Sequence, residues 1–216
     1  LSMEVPSADD DNKDSYALNF LGRIIAGSKK SPLYKVLVEE KKLAPSVMAR
    51  QNGGEVAGTF NISVTAFPTV KLGDVEAAIK EAFLRFEKEG FTDKDVERQK
   101  AGLEYGFYNS ISSILGKAMR LGDYNIFNGS PDYMATDLQN TMGVTKEDVW
   151  RVYNKYIKNR NYLITSIVPK GKADLAAPDS KAWIVPEESI EKQGTKKKEF
   201  AATKFEPIPS KIDRTI

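Results

Sequence analysis

The stretch from Ser31 to Phe67, SPLYKVLVEEKKLAPSVMARQNGGEVAGTFNISVTAF, constrains the fold most, because its two halves carry different periodicities. Ser31-Pro32 is a helix start: a serine able to cap, then a proline whose fixed φ suits the first helical position. Leu33, Val36, Leu37 and Glu40 recur at helical spacing. Ala44-Pro45 is predicted to close the helix, since a residue before proline avoids the α region. Ser46 to Gln51 reads as extended and Asn52-Gly53-Gly54 as a turn. Phe60, Ile62, Val64 and Ala66 then alternate with Asn61, Ser63 and Thr65, the pattern of a strand with one buried face. A docked helix and a sheet edge result, with no catalytic group among them.

Two absences narrow the chemistry. The 216 residues include no cysteine, which excludes disulfides, thiolate nucleophiles and zinc–thiolate sites. They include no histidine, which removes the usual general base, imidazole-based triads and the commonest zinc ligand. Sites of carboxylates and lysine stay open. The length suffices for one core with a loose appendage. Apolar content of 41% and charge of 29% are ordinary for a globular protein, and a net charge of +2 is too balanced to point to nucleic acid. No apolar run is long enough for membrane insertion, and Leu1-Ser2-Met3 opens no signal peptide. Leu1 does not read as a natural start, so the chain reads as a cut piece. A cysteine-free chain fits a periplasmic and a cytoplasmic setting equally, and the compartment stays unknown.

Taken in order, residues 1–5 read as a strand and 7–14 as an acidic solvated loop. Its DDDNKD run lacks the interior glycine and distal glutamate of an EF-hand loop. Asp14 or Ser15 caps a helix with Leu18, Leu21, Ile24 and Ile25 on one face, ending at Gly27. After the organising stretch, Gly73-Asp74 opens a helix striped by Val75, Ile79, Phe83 and Phe86, and Gly90 stops it. Thr92 caps a long helix from Asp93 to about Leu121, with Gly102, Gly106 and Gly116 as points of loosening. Its aromatics Tyr105, Phe107 and Tyr108 are expected to face the core. Asn128 to Pro131 is a turn, Tyr133–Thr141 a short helix, and Thr145 with Asp148 a capping box before Val149, Val152, Tyr153 and Tyr156. Residues 161–169 (NYLITSIVP) read as a strand. This order predicts an α+β two-layer sandwich, a mostly antiparallel sheet with helices packed on one face. Residues 171–216 change in composition and read as a linker or strap containing Phe205, Pro207 and Pro209. The Lys196–Lys198 run, with Glu187, Glu188, Glu191 and Glu199 nearby, reads as a solvated charged segment.

The motif train resembles one half-lobe domain of the insulinase-like (pitrilysin) zinc metallopeptidases. It runs from Asp14–Leu18 through the small-residue link Ala26-Gly27-Ser28 to the helix Ser31–Ala44, which follows S-x-L-x-x-x-L-x-E-x-x-x-L-A. The alternating strand, Gly90-Phe91-Thr92, the segment Val144–Val149 and the terminal strand Asn161–Pro169 complete it, so the match covers residues 1–170. The resemblance implies a half-lobe domain over 1–170, and a tail, 171–216, leading towards a second lobe.

The family's catalytic domain carries His-x-x-Glu-His, which a chain without histidine lacks. In its opposing domain, an arginine and a tyrosine on this helix contact substrate; Val38 and Pro45 stand there instead. The resemblance therefore implies the non-catalytic second domain of the N-terminal lobe, with zinc held only in the parent's catalytic domain. It implies a chamber wall packed against that zinc domain and the second lobe. It also implies an exosite for extended peptides, with its helix-end part near Gly22 and Ala26 and its edge-strand part at Ser46, Met48 and Arg50. Two other readings stand beside it. One is a purely structural or assembly subunit related to inactive processing-peptidase subunits. The other is a stand-alone module binding a small ligand on its sheet.

Overall fold

The computed structural model describes residues 1–7, 13–54 and 56–181. The expectations for the heart of the acidic loop (8–12) and for the tail from residue 182 lie outside the described residues. One compact unit comprises Leu1–Ser180, so residues 171–180 belong to it; Lys181–Ile216 form the second unit.

Three antiparallel strands, β1 (Ser2–Val5), β2 (Ser46–Gly53) and β3 (Gly58–Thr65), make a sheet in the order β1-β3-β2. Met3 lies opposite Phe60, and Met48 opposite Ser63. The expected alternation holds. Phe60 and Ile62 are buried and Val64 and Ala66 pack against the core, while Ser63 and Thr65 are exposed. Met3, Val5, Val47 and Ala49 extend the same buried face, which the helices cover. This is an α+β domain with its helices layered on an antiparallel sheet.

Helix α1 (Asp14–Ala26) buries Leu18, Leu21 and Ile25 as its spacing predicts, together with Ala17 and Phe20. Asp14 does not cap it. Its carboxylate is instead buried between Arg151, Lys155 (3.1 Å) and Tyr156 (2.7 Å), tying the start of α1 to the end of the fold. Helix α2 (Pro32–Tyr34) continues as a π-helical stretch, Lys35–Glu40. Its end lies earlier than Pro45 suggests. Lys42 takes a left-handed conformation (φ 51°), and the Leu43 N–H donates to the Leu37 carbonyl (2.9 Å), so the backbone reversal itself satisfies the last turn. Nor does Ser31 cap this helix; its hydroxyl accepts from the Ser28 N–H (3.1 Å) and stabilises the preceding turn.

Helix α3 (Leu72–Glu89) buries Val75, Ile79 and Phe86 and ends at Gly90, whose φ of 67° favours glycine. Phe86 then meets Trp150 (4.9 Å between centroids) and Tyr153 (5.0 Å). These two lie on α7 (Lys146–Val152) and its π-helical continuation Tyr153–Ile157. Thr145 and Asp148 form the expected capping box.

The single long helix expected over 93–121 is in fact two. These are α4 (Asp93–Ser110), which Thr92 caps through a box with Asp95, and α5 (Ile114–Phe127). The break falls at none of the glycines but at serines. The hydroxyls of Ser110 and Ser112 donate to the Phe107 and Asn109 carbonyls (2.7 and 2.8 Å), and Ser113 caps α5 by accepting from the Gly116 N–H (3.0 Å). Serine side chains here satisfy both helix ends and so compete with continuation. A second correction concerns Tyr105 and Tyr108, which are exposed and do not face the core, while Phe107 is half-buried. A 3₁₀ turn (Pro131–Tyr133) leads into α6 (Met134–Met142).

The strand expected over 161–169 is reduced to one bridge. Leu163 and Ser2 exchange two main-chain hydrogen bonds, at 2.8 and 2.9 Å.

Candidate functional site

An open groove of about 380 Å³ runs between α1 and β2. Asn19, Gly22, Arg23, Ala26 and Gly27 form its helix side, and Val47 to Gln51 its strand side. Of the residues expected at an exosite, Gly22, Ala26, Met48 and Arg50 therefore meet in one groove. Ser46 does not line it and is the exposed first residue of β2.

The glycine is there for packing. A Cβ at Gly22 would lie 2.7 Å from the Ala49 carbonyl oxygen and 3.3 Å from the Arg50 Cα. Only a bare Cα lets α1 approach the strand backbone this closely. Ala26 is buried one turn further on, and the side chains of Met48 and Arg50 project into solvent.

The direction of the main-chain groups on β2 follows from the register. Leu1 and Ile62 exchange both hydrogen bonds (2.8 and 2.9 Å), so the even-numbered residues of β3 bond towards β1. The odd ones, Asn61, Ser63 and Thr65, then bond towards β2, where their partners are Arg50, Met48 and Ser46. The strand residues expected at the exosite thus spend their backbone groups inside the sheet. Val47, Ala49 and Gln51 turn theirs away from β3 towards α1, where Gly22 already lies against the Ala49 carbonyl. The resemblance placed the strand part of the exosite at Ser46, Met48 and Arg50, by position. The hydrogen-bonding capacity of an edge, however, belongs to the alternate residues.

Sequence reasoning missed Gln51. It sits at a position of β2 in phase with Val47 and Ala49, and its side-chain Nε2 is buried with no hydrogen-bond partner. A polar residue in an apolar phase was the available signal. Gln51 and Arg23 also line a second cavity of about 420 Å³ among α1, α4, α5 and α6, which includes Arg120. There Asp137 accepts hydrogen bonds from the Tyr16 and Tyr124 hydroxyls (3.0 and 2.5 Å). Burial, the proximity of Asp137 and these bonds push both phenols well above their ordinary range, so they remain protonated donors. Arg120 lies over the rings of Phe107 (5.8 Å) and Tyr124 (5.6 Å).

Among the described residues there is no group of three or more histidine, cysteine, aspartate or glutamate side chains that could hold a metal ion. No described helix is long and apolar enough to cross a membrane. Val38 packs on the core and Pro45 is exposed, and neither offers a group that can polarise a carbonyl. What the groove presents is the main chain of β2 beside α1.

The model of the peptidase M16 inactive domain matches residues 1–103. The zinc protease PqqE of Helicobacter pylori is 25% identical over 151 residues, covering 68% of this chain and 33% of that protein. The chain thus spans about a third of the length of this curated relative. Among solved structures, a protease from Helicobacter pylori superposes with a TM-score of 0.61 at 24% identity, over 73% of this chain and 38% of that one. The peptidase M16 inactive domain from Pseudomonas fluorescens gives 0.58 at 20% identity, over 73% and 37%. These two share the fold. The motif train, the inactive-domain model matched over residues 1–103 and this α+β architecture agree, and the chain is similar to an inactive domain of the insulinase-like (M16) peptidases.

Proposed function

We propose that the domain is a non-catalytic wall of a zinc peptidase that degrades peptides in an enclosed chamber, and that the edge of β2 anchors extended peptide there. Zinc and the catalytic groups belong to another domain of the parent. The observation that carries this reading is the α1–β2 groove, with the main-chain groups of Val47, Ala49 and Gln51 turned into it. An extended peptide added as one more strand needs such groups and little else, so its side chains are read loosely. A one-strand contact without deep pockets is weak, with a Kd on the order of 0.1–1 mM. It gains effect by raising the local concentration of the remaining peptide near a distant zinc.

The exposed apolar residues of α5, among them Leu115, Met119 and Ile126, support packing against a neighbouring domain of the parent. That surface serves a purely structural subunit equally well, so the peptide edge decides between the two readings. The test is a titration of the isotope-labelled domain with an extended peptide and with its backbone N-methylated counterpart. Amide shifts should centre on Val47, Ala49 and Gln51 and be absent with the methylated peptide. Ala49→Pro should abolish them, while Met48→Pro, which strikes a residue bonded to β3, should instead disturb the sheet. Equal shifts with both peptides, or none with either, would make this edge a wall and favour the structural reading.

A further inference from the structure

The cavity of about 420 Å³ among α1, α4, α5 and α6 holds more positive charge than the fold consumes. Arg23 and Arg120 line it, and Asp137 is the one carboxylate among its described lining residues. Among the described residues neither guanidinium forms an ion pair, whereas Arg85, Arg98 and Arg151 each hold a carboxylate. Arg23 spends only its Nε, on the Asn19 side-chain oxygen (3.2 Å), and Arg120 reaches the Ser110 hydroxyl by one long bond (3.4 Å). The buried Gln51 Nε2, also without a partner, adds an uncharged donor to the same cavity.

Part of the wall is bare backbone. Gly102 and Gly106 stand one turn apart on α4, and a Cβ at either would meet nothing within 4 Å. At Gly22 a neighbouring backbone demands glycine; at these two positions no neighbour does. Glycine inside a helix weakens it relative to alanine, and what this pair provides in return is room in the cavity. Leu103 and Phe107 of α4, with Leu138 of α6, give the same space an apolar side.

We propose that this cavity binds a carboxylate carried on a small apolar group, as at the free carboxyl end of a short peptide. A planar guanidinium presents paired N–H donors that match the two oxygens of a carboxylate. Gln51 supplies a further donor, and the apolar group rests against Phe107 and Leu138. Arg120 is already stacked over Phe107 and Tyr124, so binding costs it little side-chain freedom. The Tyr16 and Tyr124 hydroxyls donate to Asp137 and so disperse the negative charge that would repel the ligand. The site uses side-chain donors rather than the main chain of β2, and so stands apart from peptide pairing along that strand.

The test titrates the whole isotope-labelled chain with N-acetyl-alanyl-leucine and with its C-terminal amide. The acid should shift the Nε resonances of Arg23 and Arg120 with a Kd on the order of 0.1–1 mM, and the amide should leave them unmoved. Arg120→Lys keeps the charge but loses the fork, and should weaken the acid at least tenfold. Gly106→Leu places its side chain in free space and should melt no lower than the parent, yet it should also weaken the acid at least tenfold. A parallel titration with 4-methylpentanoate separates two sources of the same chemistry. Binding as tight as the acid's identifies a simple carboxylic acid, weaker binding a peptide end, and both support the site. Acid and amide acting alike, unmoved arginines, or undiminished binding by Gly106→Leu would overturn the proposal. So would inorganic phosphate binding as tightly as the acid, since the cavity would then read charge alone.

Discussion

The carbonyl oxygen of Ala49 faces Gly22 so closely that a methyl group there would come within 2.7 Å of it. Helix and strand backbones touch at this point, with no side chain to absorb a change, and the width of the α1–β2 groove is set by that contact.

Gly22→Ala therefore has a sign that tests the contact. In a helix interior with free space the exchange stabilises by up to about 1 kcal/mol. Here α1 must move away from β2, and a loss of about 1–3 kcal/mol is expected. Denaturant unfolding measures it, and a gain in stability would show that the helix does not lie on the strand.

Burial distinguishes the two faces of β3. Ile62 is 2% exposed, and Ile62→Asp puts an unpaired charge into the buried apolar core, so the domain should fail to fold. Thr65→Asp, on the exposed face, should change stability by less than about 0.5 kcal/mol. Circular dichroism melts of the two variants read the difference directly, and matching melts would mean a slipped register.

Asp14 gives an acid limb. Burial pushes its carboxyl up, but hydrogen bonds from Arg151, Tyr156 and Lys155 outweigh this and hold it below the usual carboxylate range. With the folded value below the unfolded one of about 3.9, the stabilisation is complete above that pH and is lost as pH falls through the folded value. Asp14→Asn should cost about 1–3 kcal/mol at neutral pH and flatten stability against pH below about 4. Melts between neutral and acidic pH compare the slopes. A variant with the acid limb of the parent would assign that limb to other carboxylates.

Metal content is a simpler check. Zinc in proteins is held mostly by histidine and cysteine, and the 216 residues contain neither. The purified chain should carry less than one zinc per molecule after dialysis and should cleave no peptide. Stoichiometric zinc resistant to dialysis would contradict this.

The helices and strands that bury one face were legible because their apolar residues recur at a fixed period. Phe60 with Ile62, and Val75 with Ile79 and Phe86, needed nothing beyond that spacing. What failed to show was decided by partners distant in sequence or by polar side chains. Asp14 looked like a cap because its true partners, Arg151 and Tyr156, stand far along the chain. The serines between α4 and α5 gave no break in the apolar pattern, since that helix pair has little buried surface. Of the candidate exosite residues, Gly22, Ala26, Met48 and Arg50 line the α1–β2 groove and Ser46 does not. Position within the resemblance pointed to Ser46, Met48 and Arg50, whereas the main-chain groups turned away from β3 are those of Val47, Ala49 and Gln51. That distinction depends on which neighbour β3 bonds with which residue.

The hydrogen bond from Tyr156 to Asp14 spans 142 residues of chain. Its consequence concerns synthesis. The first helix leaves the ribosome long before the tyrosine that fixes its acidic end, and the aromatic cluster of Phe86 must likewise wait for Trp150 and Tyr153. Folding of this domain is therefore a late event, completed when its last helix emerges. Until then the apolar face of α1 is exposed to chaperones and to neighbouring nascent chains.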